Sequence, residues 1–333
     1  MRITYYVYDL AFPLVEGVRK QAWMLATAMQ NQGHQVTILS TSPKNKRRRT
    51  MVREGITIRY GSPWQISRCK TEVLHYISHP SPLILPLLLR AKAKKQIMTM
   101  YDGALNGFWR RWWDCLMSSL VKKKVQIITL QTNFQRRILK KTRLRNLPVE
   151  HIPPLIPTLK RVKQKDDKPR LLFMSHLSPS KGIREVLLAF YLARKEIKNL
   201  RLVICNSKIQ RNRYGELIRK INRSDIILKE KVNPAEELSK AWIYLYPLRR
   251  AQETFSIPLS LIEAAQVGTP YISTKVGAIP EYFPEEYLVS PGDVIELHRK
   301  IIELLKKKKH NLKMKKEINN KEVVAQFLQL YQK

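Results

Sequence analysis

The sequence predicts an α/β protein built from two domains with parallel strands. Its 333 residues are about twice the length of a typical domain. Residues 2–8 are β-branched and aromatic, residues 18–31 place apolar side chains at helical spacing, and residues 35–40 form a second strand-like run. This strand, helix, strand order is a βαβ unit, which connects parallel strands through a right-handed crossover. The same order restarts at residue 170, after the polar stretch 160–168, so two such units define the plan of the chain.

The second unit is predicted to begin with a strand at 170–175 and a helix that Lys181 opens and that continues to Ala193. Its further strands are expected at residues 200–205, 226–228, 243–246 and 271–274. Its further helices are expected at residues 234–241, 258–267 and 293–306. The strongly basic stretch 306–321 is expected to be a solvated helix, and residues 323–331 then offer an apolar face.

Composition indicates a folded protein with an unusual excess of positive charge. Hydrophobic residues make up 44% of the chain and charged residues 26%, which excludes wholesale disorder and a coiled coil. The 62 Lys and Arg residues against 26 Asp and Glu give a net charge of +36, which points to a polyanionic partner. Residues 1–165 carry 31 basic and 7 acidic residues, a net +24, whereas residues 166–333 carry a net +12. We therefore expect the first half to face nucleic acid or an anionic membrane.

The cysteines and the apolar runs indicate the cellular compartment. Cys69, Cys115 and Cys205 are scattered and show no metal-type spacing, which is typical of reduced, buried thiols in a cytosolic protein. The longest apolar runs, such as 83–89, are far short of the roughly 20 residues that a membrane span needs. Asp9 interrupts the apolar start of the chain and no cleavage site follows, so a first strand is predicted here and not a signal peptide. A cytoplasmic protein is expected.

The segment 253–270 carries the first indication of a ligand site. It follows a predicted strand and loop and enters a helix, with Ser256 as a suitable N-cap and Pro258 in the first turn. The helix dipole and the N–H groups near its start form an anion site that suits a phosphate, and these N–H groups belong to Ile257, Leu259 and Ser260. Glu263 follows about one and a half turns further along. Taken alone, the segment is more simply an ordinary capped helix at the carboxyl end of a strand.

Two further segments, 171–190 and 273–281, change this balance. Together with 253–270 they resemble the retaining glycosyltransferases of family 4. The resemblance implies an α/β chain of the GT-B fold, in which two Rossmann-like, doubly wound parallel-sheet domains face a cleft. It also implies transfer of a sugar from a nucleoside-diphosphate sugar to an acceptor. The nucleotide sugar is then a co-substrate, and no catalytic metal or other cofactor is expected.

The same resemblance suggests the domain boundaries. Residues 1–160 are expected to form a Rossmann-like domain that binds the acceptor, and residues 168–318 a Rossmann-like domain that binds the nucleotide sugar. Residues 319–333 are expected to form a C-terminal helix that crosses back to the first domain.

The resemblance also assigns residues to the donor site. Lys181 and Gly182 look like the Lys-Gly pair of the family, whose lysine offsets the charge that builds on the leaving phosphate. His176 stands where the family has the arginine of a Gly-Arg-Leu segment and replaces that arginine only in part. Glu263 matches the glutamate that holds the nucleotide ribose. Independently of the resemblance, Arg249 lies just before Glu253 in a loop that should face the cleft. It binds donor phosphate or an acidic sugar, or it is an exposed loop arginine without a partner, which is the more common case.

Catalytic residues are assigned where the motifs of the family are only partly matched. The family commonly has a glutamate eight positions before Glu263, and this position is Phe255; Glu253 lies two residues earlier and is the candidate carboxylate. Tyr101 replaces a histidine that usually precedes an aspartate near the reacting sugar. A tyrosine can donate a hydrogen bond to a sugar oxygen, but with a pKa of about 10 it is a poor base near neutral pH. Glu253, Tyr101 and Lys181 are therefore the expected catalytic residues.

The first half carries one further match and a further departure. Gly17 looks like the second glycine of a Gly-Gly-Val loop, where the backbone approaches the substrate, but Glu16 occupies the place of the first glycine. An ordinary turn glycine that leads into a core helix explains Gly17 equally well. The departures at Glu16, Tyr101, His176 and Phe255 also leave open a GT-B protein that binds a sugar or a partner without catalysis.

The segment 108–124 suggests how the excess charge is used. It combines Trp109, Trp112 and Trp113 with two arginines and a lysine triplet. Interfacial aromatics beside cations favour an anionic membrane surface. The same residues are compatible with a buried aromatic helix that has a solvated end and, less readily, with base stacking on single-stranded nucleic acid. The favoured hypothesis is a peripheral membrane protein in glycan biosynthesis that acts on a glycan or lipid-linked acceptor, with nucleic acid an unlikely partner.

Overall fold

The computed structural model describes residues 1–14, 16–41, 49–62, 64–77, 90–100, 123–141, 143–159, 165–206, 213–221, 224–230, 232–251, 256–307 and 309–333. The chain forms two compact units. The N-terminal unit comprises Met1–Ile156 together with Ile318–Lys333, and the C-terminal unit comprises Pro157–Glu317. The end of the chain therefore belongs to the same unit as its beginning.

Strands and helices alternate through most of both units. The strands are β1 (Arg2–Tyr8), β2 (Gln35–Thr41), β3 (Arg49–Arg53), β4 (Ile56–Gly61), β5 (Lys70–Tyr76), β6 (Lys92–Thr99), β7 (Ile127–Leu130), β8 (Val149–His151), β9 (Arg170–Met174), β10 (Arg201–Cys205), β11 (Ile226–Lys229), β12 (Ile243–Tyr246), β13 (Tyr271–Thr274) and β14 (Leu288–Val289). The helices are α1 (Gly17–Asn31), α2 (Trp64–Ser67), α3 (Asn133–Leu139), α4 (Ile183–Glu196), α5 (Arg213–Ile221), α6 (Pro234–Lys240), α7 (Leu259–Val267), α8 (Ile279–Tyr282), α9 (Val294–Lys306) and α10 (Asn320–Gln332).

The N-terminal unit is built on one sheet with the strand order β3-β4-β2-β1-β5-β6-β7-β8. Its strand pairs are parallel except β3 with β4, which is antiparallel. One face packs its apolar side chains on α1 and α10, and the buried contributions of α10 are Val323, Phe327, Leu330 and Tyr331. On the other face a second core surrounds Tyr6, Leu74 and, from α2, Ile66. Apolar cover on both faces explains the run of five buried residues in β1.

A buried histidine links α10 to this sheet. His75 of β5 is fully buried, and its Nδ1 lies 2.7 Å from the hydroxyl of Tyr331 while its Nε2 lies 2.7 Å from Thr99 Oγ1. The Tyr331 hydroxyl is also 3.1 Å from that of Tyr5. Burial lowers the pKa of His75 to about 3, so the imidazole is neutral at physiological pH. Its polar atoms are hydrogen-bonded, which offsets the cost of their removal from water.

The C-terminal unit has a six-stranded, wholly parallel sheet with the order β11-β10-β9-β12-β13-β14. Numbered within the unit, this is the order 3-2-1-4-5-6 of dinucleotide-binding folds. The order reverses between β9 and β12, and open parallel sheets bind ligands beyond the carboxyl ends of their strands at such a reversal. The topology therefore points to the loops that follow β9 and β12.

A buried ion-pair network fixes the start of β9. Arg170 pairs with the carboxylate of Glu237 on α6 and with Asp166 at 3.0 Å. Glu237 also accepts from Lys229 Nζ at 2.8 Å. The neighbouring cations lower the pKa of Glu237 although its burial acts in the opposite direction. The network joins β9, α6 and β11.

The predicted elements agree with the structure in the apolar runs and differ at polar boundaries. The strands expected at 243–246 and 271–274 are confirmed as β12 and β13. The helix expected to open at Lys181 begins instead at Ile183, because Lys181 ends a short 3₁₀ turn and Gly182 adopts φ +79°. The helix expected over 306–321 is wrong, since α9 ends at Lys306 and α10 begins at Asn320, with no helix among the described residues between them. Closely spaced lysines repel each other within a helix, and here the Lys315 N–H instead donates to the Tyr282 carbonyl at 2.9 Å.

The buried state of His75 predicts a pH dependence of stability. An unfolded histidine takes up a proton near pH 6.5, whereas folded His75 does so only near pH 3, so the unfolded state binds more protons between these values. The contribution of His75 to the free energy of unfolding is therefore fully present above about pH 6.5. It falls as the pH is lowered towards 3, at up to about 1.4 kcal/mol per pH unit. His75→Leu should remove this component of the slope in urea unfolding at pH 4 to 7. His176→Gln, at an exposed histidine, should keep the slope, and equal slopes for wild type and His75→Leu would contradict the prediction.

Candidate functional site

The loops that follow β9 and β12 are in direct contact. The loop after β9 forms the 3₁₀ turn Pro179–Lys181, which Gly182 closes at φ +79°. A Cβ at Gly182 would lie 1.9 Å from the carbonyl oxygen of Pro247, so a glycine is required at this close approach. The Arg249 N–H donates to the Ser180 carbonyl at 3.0 Å. These contacts fix the two loops to each other at the point where the strand order reverses.

A buried carboxylate orients the side chain of Arg249. Glu185 lies in the first turn of α4 and is only 5% exposed, and its Oε1 is 3.4 Å from Arg249 Nε. Its other carboxylate oxygen is buried and has no hydrogen-bond partner among the described residues. The guanidinium also passes close to Gly292, since a Cβ there would be 3.7 Å from Arg249 Nη2. About half of the Arg249 side chain stays exposed, so the arginine is held at its base and open to an anion at its end.

The helix that carries Glu263 starts later than predicted. Its N-cap is Pro258, with φ −65° and ψ 110°, and Ser256 does not cap it. The reason is steric, because a residue before proline is driven out of the helical region, and Ile257 therefore remains outside the helix. The N–H groups of Leu259 and Ser260 are the first of the helix and have no acceptor within it. Glu263 follows about one turn later, with only 2% of its surface exposed.

Tyr244 connects the end of β9 to the first turn of α7. Its hydroxyl lies 3.3 Å from the Met174 carbonyl oxygen and 3.0 Å from Ser260 Oγ. Burial raises the pKa of Tyr244 well above its usual value, and the charges of neighbouring groups, Glu263 among them, act in the same direction. The hydroxyl is therefore neutral and fixes the amino end of α7 near the β9 and β12 loops.

The remaining predicted donor-site residues differ in their surroundings. Lys181 is half-buried at the end of its turn and has a hydrogen bond or charge contact of its own. His176 is exposed after β9, and its carbonyl accepts from the Ser178 N–H at 2.9 Å. The contacts above therefore hold together the elements of the C-terminal unit that carry Lys181, Arg249 and the start of α7. Glu253, Phe255 and Tyr101 lie outside the described residues, as does the tryptophan cluster of 108–124.

Gly17 lies in the N-terminal unit, where it begins α1. Glu16 is the N-cap residue of this helix and its carboxylate is 3.4 Å from Arg19, which also pairs with Asp9 at 2.9 Å. The carboxylate that stands in place of a loop glycine is therefore part of a local ion-pair cluster after β1.

Three further features of the described residues concern metals, thiols and membrane spans. They contain no group of three or more His, Cys, Asp and Glu side chains that could hold a metal ion. Cys69 and Cys205 are free, and burial raises the pKa of Cys205 to about 12. Within the same residues, no helix combines the length and the apolar character needed to cross a bilayer.

Sequence reasoning missed Glu185 and Tyr244. The only signal for Glu185 was an acidic residue at a helical position that periodicity places on the buried side of α4. Tyr244 lies in an apolar strand and resembles an ordinary core residue. Their roles depend on partners that are distant in the chain.

The two sheets and the site at the strand reversal define a class of protein, the α/β proteins of the GT-B fold. Residues 156–321 match the family model described as Glycosyl transferases group 1, so the C-terminal unit carries a domain of this kind. Over 90% of its length the chain is 21% identical to a phosphatidylinositol N-acetylglucosaminyltransferase subunit of Arabidopsis thaliana, covering 74% of that protein.

Solved structures show the same fold. The chain superimposes on sucrose-phosphate synthase from Thermosynechococcus elongatus with a TM-score of 0.74 at 14% identity, covering 99% of this chain and 98% of that one. A mutant of S. aureus TarM in complex with fondaparinux, alpha-GlcNAc-glycerol and UDP gives a TM-score of 0.72 at 10% identity, with 100% of both chains covered. The domain match and the fold together support glycosyltransferase activity.

The contact between Gly182 and Pro247 predicts an unequal response to two alanine substitutions. Gly292→Ala places a Cβ in ordinary contact at φ +83° and should cost about 1 kcal/mol of stability through backbone strain alone. Gly182→Ala has the same strain and also overlaps the Pro247 carbonyl, so it should cost about 2–4 kcal/mol. Urea unfolding of the full chain measures both values. Equal losses for the two variants would show that the loops do not touch as described.

Proposed function

We propose that the protein is a retaining glycosyltransferase that transfers a sugar from a nucleoside-diphosphate sugar to a glycan or lipid-linked acceptor at a membrane surface. The observation that carries the proposal is the meeting of the β9 and β12 loops at the strand reversal of the C-terminal unit. Two cations, Lys181 and Arg249, and the amino end of α7 belong to the elements joined there. A diphosphate is the anion that such an arrangement suits best.

Each part has a distinct task on the diphosphate. The ammonium of Lys181 offsets the charge that develops on the leaving phosphate as the sugar departs. Arg249, held by Glu185, supplies a second cation with a fixed direction. The first N–H groups of α7 add donors and the positive end of the helix dipole. These side-chain and backbone groups take the role that a metal ion has in other phosphate sites, so no metal is required.

Glu263 is assigned to the nucleotide ribose. A buried carboxylate needs polar partners, and Glu263 has a hydrogen bond or charge contact of its own. The ribose hydroxyls can donate to the same group, which ties the orientation of the nucleotide to α7. The UDP in the TarM complex supports a nucleoside diphosphate as the probe to try first.

The transfer step keeps the anomeric configuration. The bond between the anomeric carbon and the diphosphate oxygen breaks, and the acceptor hydroxyl forms its bond on the same face of the sugar. The proton of that hydroxyl passes to the departing phosphate oxygen, so atoms and charge balance without a separate base. Glu253 is assigned to the transferred sugar and Tyr101 to a hydrogen bond with a sugar oxygen, as the sequence resemblance implies.

The proposal for the acceptor rests on the charge of the first half of the chain and on the name of one relative. The first half of the chain carries a net +24, which an anionic membrane or a lipid phosphate complements. The name of the Arabidopsis relative, which refers to phosphatidylinositol, supports a lipid acceptor. We therefore place the protein at the cytoplasmic surface of a membrane as a peripheral enzyme of glycan biosynthesis.

A second candidate function is binding without catalysis. It is motivated by the carboxylate of Glu16, which is engaged with Arg19 where the family has a glycine, and by His176 in place of an arginine. Thermal shift with nucleotides followed by a transfer assay separates the two functions. Stabilisation by a nucleotide without turnover on any acceptor would favour the binding protein.

Removal of the Lys181 charge should reduce transfer with the true donor by about 100-fold, because the leaving phosphate loses its cation. Glu263→Gln should weaken donor binding by about tenfold, since a charged acceptor becomes neutral. The Lys181 prediction is checked by the initial transfer rate of Lys181→Gln. The Glu263 prediction is checked by the calorimetric affinity of Glu263→Gln for the nucleoside diphosphate. Lys198→Gln, an exposed lysine beyond α4, is the matched control and should behave as wild type. Full activity in both site variants would refute the assignment.

The configuration of the product tests the retaining step. Proton NMR of the first product formed, before any mutarotation or hydrolysis, should show the anomeric configuration of the donor. A sample without protein gives the background of the uncatalysed reaction. An inverted product from the wild-type protein would exclude the proposed same-face transfer while leaving the donor site itself intact.

A further inference from the structure

A concave pocket opens on the N-terminal sheet, on the face opposite α1 and α10. Its volume is about 430 Å³, which lies within the range of small-molecule sites. Residues from the first half of β1 and β2 line it together with β4, α2 and the start of β5. It therefore lies towards the amino ends of β1, β2 and β5. A seven-residue strand is about 20 Å long, so this pocket is well separated from the carboxyl ends of these strands.

The floor of the pocket is a row of hydroxyl groups. Thr4 of β1 and Thr37 of β2 line the pocket and pair with each other. Thr37 pairs in turn with Thr57 of β4, which is not one of the lining residues. Residues in register on adjacent strands share one face of a sheet, so the three hydroxyls form a row across it. Their neighbours Ile3 and Ile38 alternate to the opposite face and enter the core. Covered faces of parallel sheets are normally apolar, so hydroxyl side chains on this part of the face are unusual. Thr4 is 5% exposed and Thr37 is partly exposed.

The walls of the pocket are positively charged. Arg59 of β4, Arg68 and Lys70 line it, and all three side chains are exposed. In the part of the chain that the structure describes, no ion pair involves any of these three. By contrast, Arg19 in the same unit pairs with Asp9 at 2.9 Å. A concavity with uncompensated cations attracts an anion, and guanidinium groups match the geometry of a phosphate.

An aromatic side chain and two amides complete the lining. Trp64 of α2 is 57% exposed at the pocket, although a large apolar ring of this kind is normally covered. Its flat face suits the C–H side of a sugar or polyol ring. Gln35 and Gln65 also line the pocket, and their amides can both donate to and accept from hydroxyl groups. The pocket thus combines phosphate chemistry with polyol chemistry.

We propose that this pocket binds a phosphorylated sugar or polyol, with the phosphate paired to Arg59 and Arg68 and the ring against Trp64. The site is additional to the donor site of the C-terminal unit and does not depend on the proposed transfer reaction. Soluble sugar phosphates and phosphorylated lipid headgroups share this chemistry, so the experiment must separate the two sources.

The first arm of the test is calorimetry of the full chain with glucose 6-phosphate. The double variant Arg59→Gln/Arg68→Gln should bind at least about tenfold more weakly, because two charge-assisted pairs are lost. The control Arg201→Gln/Arg299→Gln removes the same charge from exposed arginines of the C-terminal unit and should bind as wild type. Lys181→Gln should also keep the affinity, which separates this pocket from the donor site. Trp64→Ala should weaken glucose 6-phosphate but leave inorganic phosphate unchanged.

The second arm is flotation with phosphatidylcholine vesicles, with and without phosphatidylinositol phosphate. Flotation that the pocket variant loses and the control keeps identifies a lipid headgroup as the source, and pocket-dependent calorimetry without flotation identifies a soluble phosphate. The side chains altered in the pocket and control variants are exposed, so thermal unfolding of these variants should be unchanged. Equal binding by pocket and control variants, loss of binding only in Lys181→Gln, or no binding by wild type in either arm would overturn the proposal.

Discussion

The contact between Gly182 and the Pro247 carbonyl is the constraint on which the C-terminal site depends. Loops that leave adjacent strands at a reversal of strand order run towards opposite faces of the sheet, and a crevice normally separates them. Here the absence of a Cβ lets the two loops touch, which puts the Arg249 N–H within reach of the Ser180 carbonyl. The Arg249 side chain then reaches Glu185, a carboxylate from the helix that starts beside Gly182. One missing methyl group therefore fixes the direction of a cation.

A buried hydroxyl group also fixes the position of α7 relative to β9. The Tyr244 hydroxyl joins the last residue of β9 to the first turn of α7, and its burial raises its pKa well above the ordinary value. Without this bridge, the first turn of the short helix would depend more on apolar packing, which is less directional. Hydrogen bonds to buried groups are specific because an unmade bond is costly. The position of Glu263 follows from the same helix.

The sequence predicts the elements better than it predicts the contacts between them. Strands β12 and β13 follow from short runs of apolar and aromatic residues, with Pro247 after the first and Pro270 before the second. Helix α9 begins after its Asp293 cap, whose side chain accepts from the Glu296 N–H. Local patterns do not reveal a partner that is far away in the chain. Glu185 is separated from Arg249 by more than sixty residues. Thr4 and Thr37, which line the pocket, come together only through strand register. The predicted start of α7 was wrong for a local reason, because the conformational restriction before Pro258 outweighed the capping preference of Ser256.

The end of the chain completes the core of its beginning. The rings of Phe327 and Tyr331 of α10 pack against the imidazole ring of His75. The Tyr331 hydroxyl supplies one of the two hydrogen bonds of that buried imidazole. A chain that lacked α10 would leave His75 Nδ1 and the Tyr5 hydroxyl without this partner and would expose the apolar face that α10 covers. Both losses are costly, because a buried polar group needs a partner and the apolar surface returns to water. The N-terminal unit therefore reaches its full packing only after the C-terminal unit has been synthesised, since α10, which closes its core, follows the C-terminal unit in the sequence.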